Sequence, residues 1–212
     1  MKGDIPVSSI SDSFTRINFL YNINDLKNLI SIFEYGILSK NSLIKKGIKN
    51  YTDLSNPDVQ ERRNNIRVPN HGFLHDYANL YIDARNPMMY VEINNKNINE
   101  LCVICVDKKI LDLENVVMTD RNAAAELAQF DEPKNALRFL DFDSIFARYW
   151  NHPISYIKSE LKAKKCAEVL VLDKIPVNYL IKIKVATQLA KENVEQLQLN
   201  VPIEIDKDIF FK

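Results

Sequence analysis

Residues 167–172 read Ala-Glu-Val-Leu-Val-Leu, the composition of a strand buried in a core, with a single carboxylate, Glu168, set into it. An ionised carboxylate left alone in such a place is costly, so Glu168 needs a partner, a ligand or solvent at the mouth of the strand. That makes it a candidate for chemistry, with an edge or rim position as the ordinary alternative. The strand also has company. Segments 16–21, 78–83, 88–93, 101–106, 179–185 and 201–209 carry strand-like apolar content, and 110–117 is partly apolar. Helical signals interleave with them: Leu26, Leu29, Ile30 and Phe33 recur at helical spacing behind a polar cap at 22–25, and Gly36 supplies the stop. Further helices are expected at 40–46, from Asp58 toward Arg63, at 123–128, 144–150 and 154–165, with 191–198 a terminal helix or mobile segment. The predicted fold class is mixed α/β (α+β).

The stretch from Glu61 to Met88 gathers side chains that are expensive to hide. His71, Gly72, His75 and Asp76 crowd behind Pro69, a mixture that makes a poor helix and a poor central strand, so a loop held over a surface is expected. Arg62 and Arg63 precede it, and the planar arginine fork suits phosphate better than a lysine does. Neighbouring residues on a helix point in different directions, so at most one of the two faces a shared site. Cations, aromatics and a long loop together suggest an anionic ligand, against the ordinary reading of a solvated loop.

The chain has 212 residues and a formal net charge of zero, so any nucleic-acid contact must come from a local patch. One stretch qualifies: 149–185 carries seven lysines, among them Lys164 and Lys165, against Glu160, Glu168 and Asp173. A charge run is also what a solvated face looks like. Three cysteines, with no apolar leader and no long apolar span, lead to the expectation of a reduced, cytoplasmic protein of one domain, 1–212, and a monomer. Cys102-Val-Ile-Cys105 has metal-ligand spacing but no nearby second pair, so a buried strand is the better reading and no metal is expected. With only four glycines there is no glycine-rich phosphate loop and no GxGxxG motif, and phosphates would need arginines or other local donors.

Several fragments stand in a recognisable order: Arg16-Ile-Asn18 before an Asn-Asp-Leu helix, Gly36-Ile-Leu38, Glu61-Arg-Arg63, Gly72-Phe-Leu-His75-Asp76-Tyr77, Ala84-Arg85-Asn86-Pro87-Met88-Met-Tyr90, Thr119-Asp120-Arg121-Asn122-Ala123 and Ala167-Glu168-Val169-Leu170. Together, over about residues 15–185, they resemble the DarT family of DNA ADP-ribosyltransferase toxins. The resemblance implies the ADP-ribosyltransferase fold, a split, twisted pair of sheets around an NAD cleft. It implies transfer of ADP-ribose from NAD to a base of single-stranded DNA, usually thymidine, with guanosine as the acceptor of a related branch. It also implies a macrodomain antitoxin as partner.

Carried over by position, Glu168 resembles the catalytic glutamate, and Arg62 or Arg63 the arginine that serves the acceptor. Arg16, Asn18, Asn24, Leu26, Tyr77, Tyr81, Arg85 and Asn122 are then expected around NAD. Asn18 stands where the family often has His or Thr, and Arg85 is expected to contact phosphate or brace the cleft. His71, His75, Lys164 and Lys165 are expected toward the strand of DNA. NAD is a co-substrate carrying its own activated bond, so no metal is called for. Protein-directed transfer, RNA-directed transfer and a silent nucleic-acid-binding module are the competing readings.

Overall fold

The computed structural model describes residues 9–55, 57–69 and 72–212. In chain order its elements are β1 (Phe19–Asp25), α1 (Leu29–Tyr35), β2 (Ile37–Leu38), α2 (Lys40–Lys45), α3 (Pro57–Asn65), β3 (Arg67–Val68), β4 (Gly72–Phe73), β5 (Tyr77–Tyr81), α4 (Pro87–Asn95), β6 (Leu101–Asp107), β7 (Val116–Thr119), β8 (Phe130–Asp131), α5 (Pro133–Ala136), α6 (Phe142–Ile145), α7 (Ser155–Lys164), β9 (Glu168–Leu172), β10 (Lys174–Ile175), β11 (Leu180–Val185), α8 (Gln188–Glu195) and β12 (Ile203–Ile205). Eight strands form one sheet in the order β12-β11-β6-β1-β5-β9-β7-β8.

That sheet is split. β1 runs antiparallel to β6 along its whole length, Phe19 against Asp107 through Asp25 against Leu101, but meets β5 in the single pair Tyr21–Tyr81. β5 in turn pairs along its length with β9, ending on Tyr81 against Glu168. The halves are joined at the Tyr21–Tyr81 seam and diverge from it.

Side-chain alternation shows how the two faces are covered. Cys102, Ile104 and Val106 of β6, Ala78 and Leu80 of β5, and Val169 and Val171 of β9 enter one large core beneath both halves, with Leu29 and Ile32 of α1 and Ala190 and Val194 of α8. On the other face the apolar cover is broken in two. Leu101 and Val103 pack with Ile23, Tyr81, Met89 and Phe210. Leu170 packs with Val68, Leu74, Tyr77, Val117 and Ala123. Each fully buried aliphatic side chain contributes about 1.5–3 kcal/mol, so the continuous core carries the fold. The interruption leaves room for polar residues.

Local chemistry sets several boundaries. Asp25 closes β1 by accepting from the Lys27 amide, opening the turn into α1. Gly36 ends α1 at φ +88°, and a Cβ there would collide with the Ile175 carbonyl, so no other residue fits. The first strand begins at Phe19, not Arg16, which moves Arg16 and Asn18 into the approach to the sheet. Residues 88–93, expected as a strand, lie in α4: Asn86 caps it by accepting from the Met89 amide, and Pro87 takes the first turn, where its missing N–H costs nothing. The expected helix at 123–128 is a set of turns: Ala125 N donates to the Asn122 carbonyl and Ala128 N to the Ala125 carbonyl three residues back, while Ala123 N donates to Glu168 and Gln129 N to Asp120. The aromatic helix expected at 144–150 is the short α6, capped by Asp141, which accepts from the Ser144 amide. Cys102 and Cys105 are both buried in β6, an odd number of residues apart and so on opposite faces.

Candidate active site

The gap in the polar face is where Glu168 sits. It opens β9, is fully buried, and takes the row that continues through Tyr81 to Tyr21 across the seam. Arg63, from the last turn of α3, donates through Nη1 to both carboxylate oxygens, at 3.3 and 3.0 Å. The Ala123 amide donates to Oε1 at 3.2 Å. Thr119 holds the backbone beneath: its Oγ1 accepts from the Glu168 amide at 3.1 Å and donates to the Arg121 carbonyl at 2.6 Å. Removing either member of such a buried pair strands the other charge.

Two cavities meet at Arg63. One, of about 280 Å³, is lined by Val59, Arg63, Tyr81, Met88, Glu92 and Asn122, with Lys162 and Cys166 at its wall. The other, of about 160 Å³, is lined by Asn22, Lys40, Tyr51, His75 and Tyr77. Ser55, Gln60, Arg63 and Asn79 line both, so they form one cleft along the line where β1 and β5 part. Arg62 turns away into a third, open cavity of about 700 Å³ with Asn65, Asn122 and Glu126. The adjacent arginines thus face different spaces, as their helical spacing requires.

The remaining expected residues divide. Tyr81 lies in the cleft with its hydroxyl 2.9 Å from the Met88 sulfur; burial first, then the Glu168 charge, pushes its pKa well up and keeps it neutral. Tyr77 also lines the cleft, and burial raises its pKa to about 12. Asn122 sits at the rim between two cavities. Asn24 stands one residue pair behind: its Nδ2 donates to Asn22 at 2.9 Å and its Oδ1 accepts from Asn28 at 2.7 Å, while Asn28 exchanges two hydrogen bonds with the Thr52 backbone. This chain of amides ties the 51–55 segment to β1 and aims Asn22, whose Nδ2 reaches the Asn79 carbonyl.

Four expected residues are not brought here. Arg16 pairs with Asp143 at 2.6 Å and lies over Phe142 and Phe146, which pack on the continuous core beneath the other face. Leu26 packs on that same core. Asn18 is exposed ahead of β1, and Asn22 is the strand residue that reaches the cleft. Sequence reading passed over Asn22 because it stood in what looked like a cap. Arg85 holds the end of the chain, donating to the Asp208 carbonyl and lying 3.9 Å over the Phe211 ring, so it braces a wall of the molecule.

Among the residues expected toward DNA, His71 lies outside the described residues. His75 is buried against Gln60 at 3.0 Å, and burial, then Lys40 and Arg63, lowers its pKa. Lys164 pairs with Asp141 at 2.9 Å. Lys165 corrects the expectation: it is 1% exposed and spends its ammonium on Asp83 and the Ile145 carbonyl, so a strand of DNA has no access to it. Glu92 carries no sequence signal for a site, because 88–93 reads as a strand. It lines the cleft with Oε2 buried and, among the described residues, without a hydrogen-bond partner, and burial raises its pKa.

The DarT family profile, described as ssDNA thymidine ADP-ribosyltransferase, matches residues 21–211. The chain belongs to the DarT family. A DNA ADP-ribosyl transferase of a Thermus species is 29% identical over 193 residues, covering 86% of this chain and 88% of that protein. A DNA ADP-ribosyl transferase-DNA ADP-ribosyl glycohydrolase fusion protein of Thermosipho africanus is 28% identical over 204 residues. The alignment takes in 93% of this chain and 50% of the fusion, so the chain spans about half the length of that relative. The structure of Thermus sp. 2.9 DarT in complex with ADP-ribosylated ssDNA superposes with a TM-score of 0.81 at 26% identity, over 93% of this chain and 98% of that one. The mixed α/β fold with its large sheet is therefore that of DarT ADP-ribosyltransferases. Among the described residues no helix is long and apolar enough to cross a membrane.

Proposed function

We propose that this DarT chain transfers ADP-ribose from NAD to thymidine in single-stranded DNA, releasing nicotinamide. The observation that carries the reading is the buried Arg63–Glu168 pair, whose arginine lines the cleft where the two half-sheets part while the carboxylate lies directly behind it. In the reaction the bond between the ribose C1′ and the nicotinamide nitrogen breaks, and the electron pair leaves with nicotinamide. A base nitrogen forms the new bond to C1′, and its proton passes to Glu168 or to solvent. The enzyme has to orient the acceptor and steady the separating charge.

Glu168 is the proposed catalytic carboxylate, holding the nicotinamide-side ribose and supporting its electron-poor centre. Arg63 is the proposed cleft arginine, positioning Glu168 and the acceptor, while Arg62 meets DNA outside the cleft. NAD is the co-substrate, held by Asn22, Tyr77 and Tyr81, with Lys40 and Arg63 near its phosphates. The complexes of Thermus sp. 2.9 DarT with NAD+ and with ADP-ribosylated ssDNA support both substrates. Single-stranded DNA also suits a cleft that must take an unpaired base. The glycohydrolase fused to the Thermosipho transferase supports a macrodomain antitoxin as partner and a toxin role. Three cysteines without a disulfide fit a reducing cytoplasm.

The test is mass spectrometry of short single-stranded DNAs incubated with NAD, with matched RNA and duplex controls. The expected result is one added ADP-ribose on thymidine in DNA alone. Transfer to protein or RNA instead, by folded protein with NAD bound, would overturn it.

A further inference from the structure

Beside the cleft lies a second groove, of about 400 Å³, lined by Tyr90, Tyr149, Trp150, Lys158, Lys162 and Phe211 together with Pro87, Val91 and Asn151. Pro87, Val91 and Lys162 line the cleft as well, so the two spaces are continuous. The rings are set against one another edge to face: Tyr90 with Trp150 at 6.1 Å, Tyr90 with Phe211 at 5.4 Å and Trp150 with Phe211 at 5.9 Å between centroids. Such packing holds their orientation without a ligand. Tyr149, 66% exposed, stands outside that cluster with the Arg148 guanidinium 5.9 Å over its ring.

The charges are one-sided. Lys158 and Lys162 stand one turn apart on α7, and among the described residues neither has a carboxylate within 4.0 Å. Among the described residues no acidic side chain lines the groove, and Glu92 lines the adjoining cleft. Asp208, near the Phe211 end of the groove in sequence, is taken up by Arg85 and Arg148. Rigid ring faces beside unpaired cations, opening into a cleft for one base, match a polymer of flat bases on an anionic backbone.

We propose that this groove is a stacking platform for the bases that flank the acceptor nucleotide, with Lys158 and Lys162 on the phosphates; this deepens the reading of the cleft as a single-stranded DNA site. Trp150 is the sole tryptophan of the chain, so its emission reports on the platform directly. Short single-stranded oligodeoxynucleotides titrated into the intact protein without NAD quench Trp150 saturably, and the matched duplex does not. Tyr149→Ala and Lys158→Ala, both at exposed positions, weaken single-strand binding about tenfold for the ring and lower the salt slope by about 0.7 for the lysine. Both raise the KM for long oligonucleotides and leave the affinity for NAD unchanged.

Three results would overturn the platform: no quenching, equal quenching by duplex, or both variants within about twofold of the parent. A Trp150 signal that follows protein concentration alone would give the face to a second copy of the chain. The two proposals fail separately. DNA modified with unchanged KM by both variants removes the platform and keeps the reaction, whereas quenching without transfer to any nucleic acid keeps the platform and removes the reaction.

Discussion

Two buried cations, Arg63 and Lys165, pair with carboxylates close to the start of β9, and they put the same kind of charge to different uses. Lys165 is walled in: Asp83 and the Ile145 carbonyl take its ammonium, and it lines none of the cavities described above. Arg63 gives Nη1 alone to Glu168, and its guanidinium borders both parts of the cleft. Desolvating an ion costs several kcal/mol in either place. The first cost is offset by bonds that fix α7 against the turn after β5. The second leaves donors facing a space where a substrate fits. Burial of a charge therefore does not identify a site; the direction of its unused bonding capacity does.

The largest expected effect lies on the second pair. Glu168→Gln keeps the volume and one hydrogen-bond acceptor but loses the charge, and transfer to oligonucleotide should fall by about 10²–10³-fold or more with the circular dichroism spectrum unchanged. Activity within a few-fold of the parent would remove the cleft as the reaction centre. Arg63→Ala strands a fully buried carboxylate, so denaturant unfolding should show a loss of about 3–5 kcal/mol, against about 0.5 kcal/mol or less for the exposed Arg62→Ala. Equal losses would erase the distinction between the two arginines.

Lys165→Met should cost about 3 kcal/mol, because Asp83 loses its partner, yet leave kcat per folded molecule unchanged. A lowered kcat at a temperature where the variant is folded would show that this pair also serves the chemistry. The smallest effect is on pH. Burial lowers the pKa of His75 in the folded state, so the unfolded chain binds the proton more readily. Its contribution is complete above the unfolded value of about 6.5 and is lost as pH falls through the lowered folded value. His75→Gln should flatten that part of the stability profile, and an unchanged profile would assign the acid limb to other groups.

Much of the architecture was legible in single stretches of sequence. The Asp25 cap, the Gly36 stop, the apolar runs of β6 and β9, and the odd carboxylate at Glu168 are local signals, each with a local physical cause. The misread segments are those where a distant partner outweighed propensity. Residues 123–128 favour a helix by composition, but the Ala123 amide is held by Glu168, 45 residues away. Residues 88–93 look like a strand until Asn86 and Pro87 are weighed as a helix start. Lys165 read as a surface cation because nothing near it in sequence marks Asp83 as its partner.

By itself, the order of residues determined that this chain makes a mixed α/β fold, that Glu168 needs a partner, a ligand or solvent, and that at most one arginine of an adjacent pair faces a shared site. Which arginine it is, and that Asn22 rather than Asn18 reaches the cleft, only the tertiary structure decided. The reason is register. Arg63 and Glu168 are 105 residues apart and meet because β5 aligns Tyr81 with Glu168, while β1 and β5 touch at one pair and then diverge. Strand pairing and the gap it leaves are properties of the assembled sheet, and no window of sequence contains them.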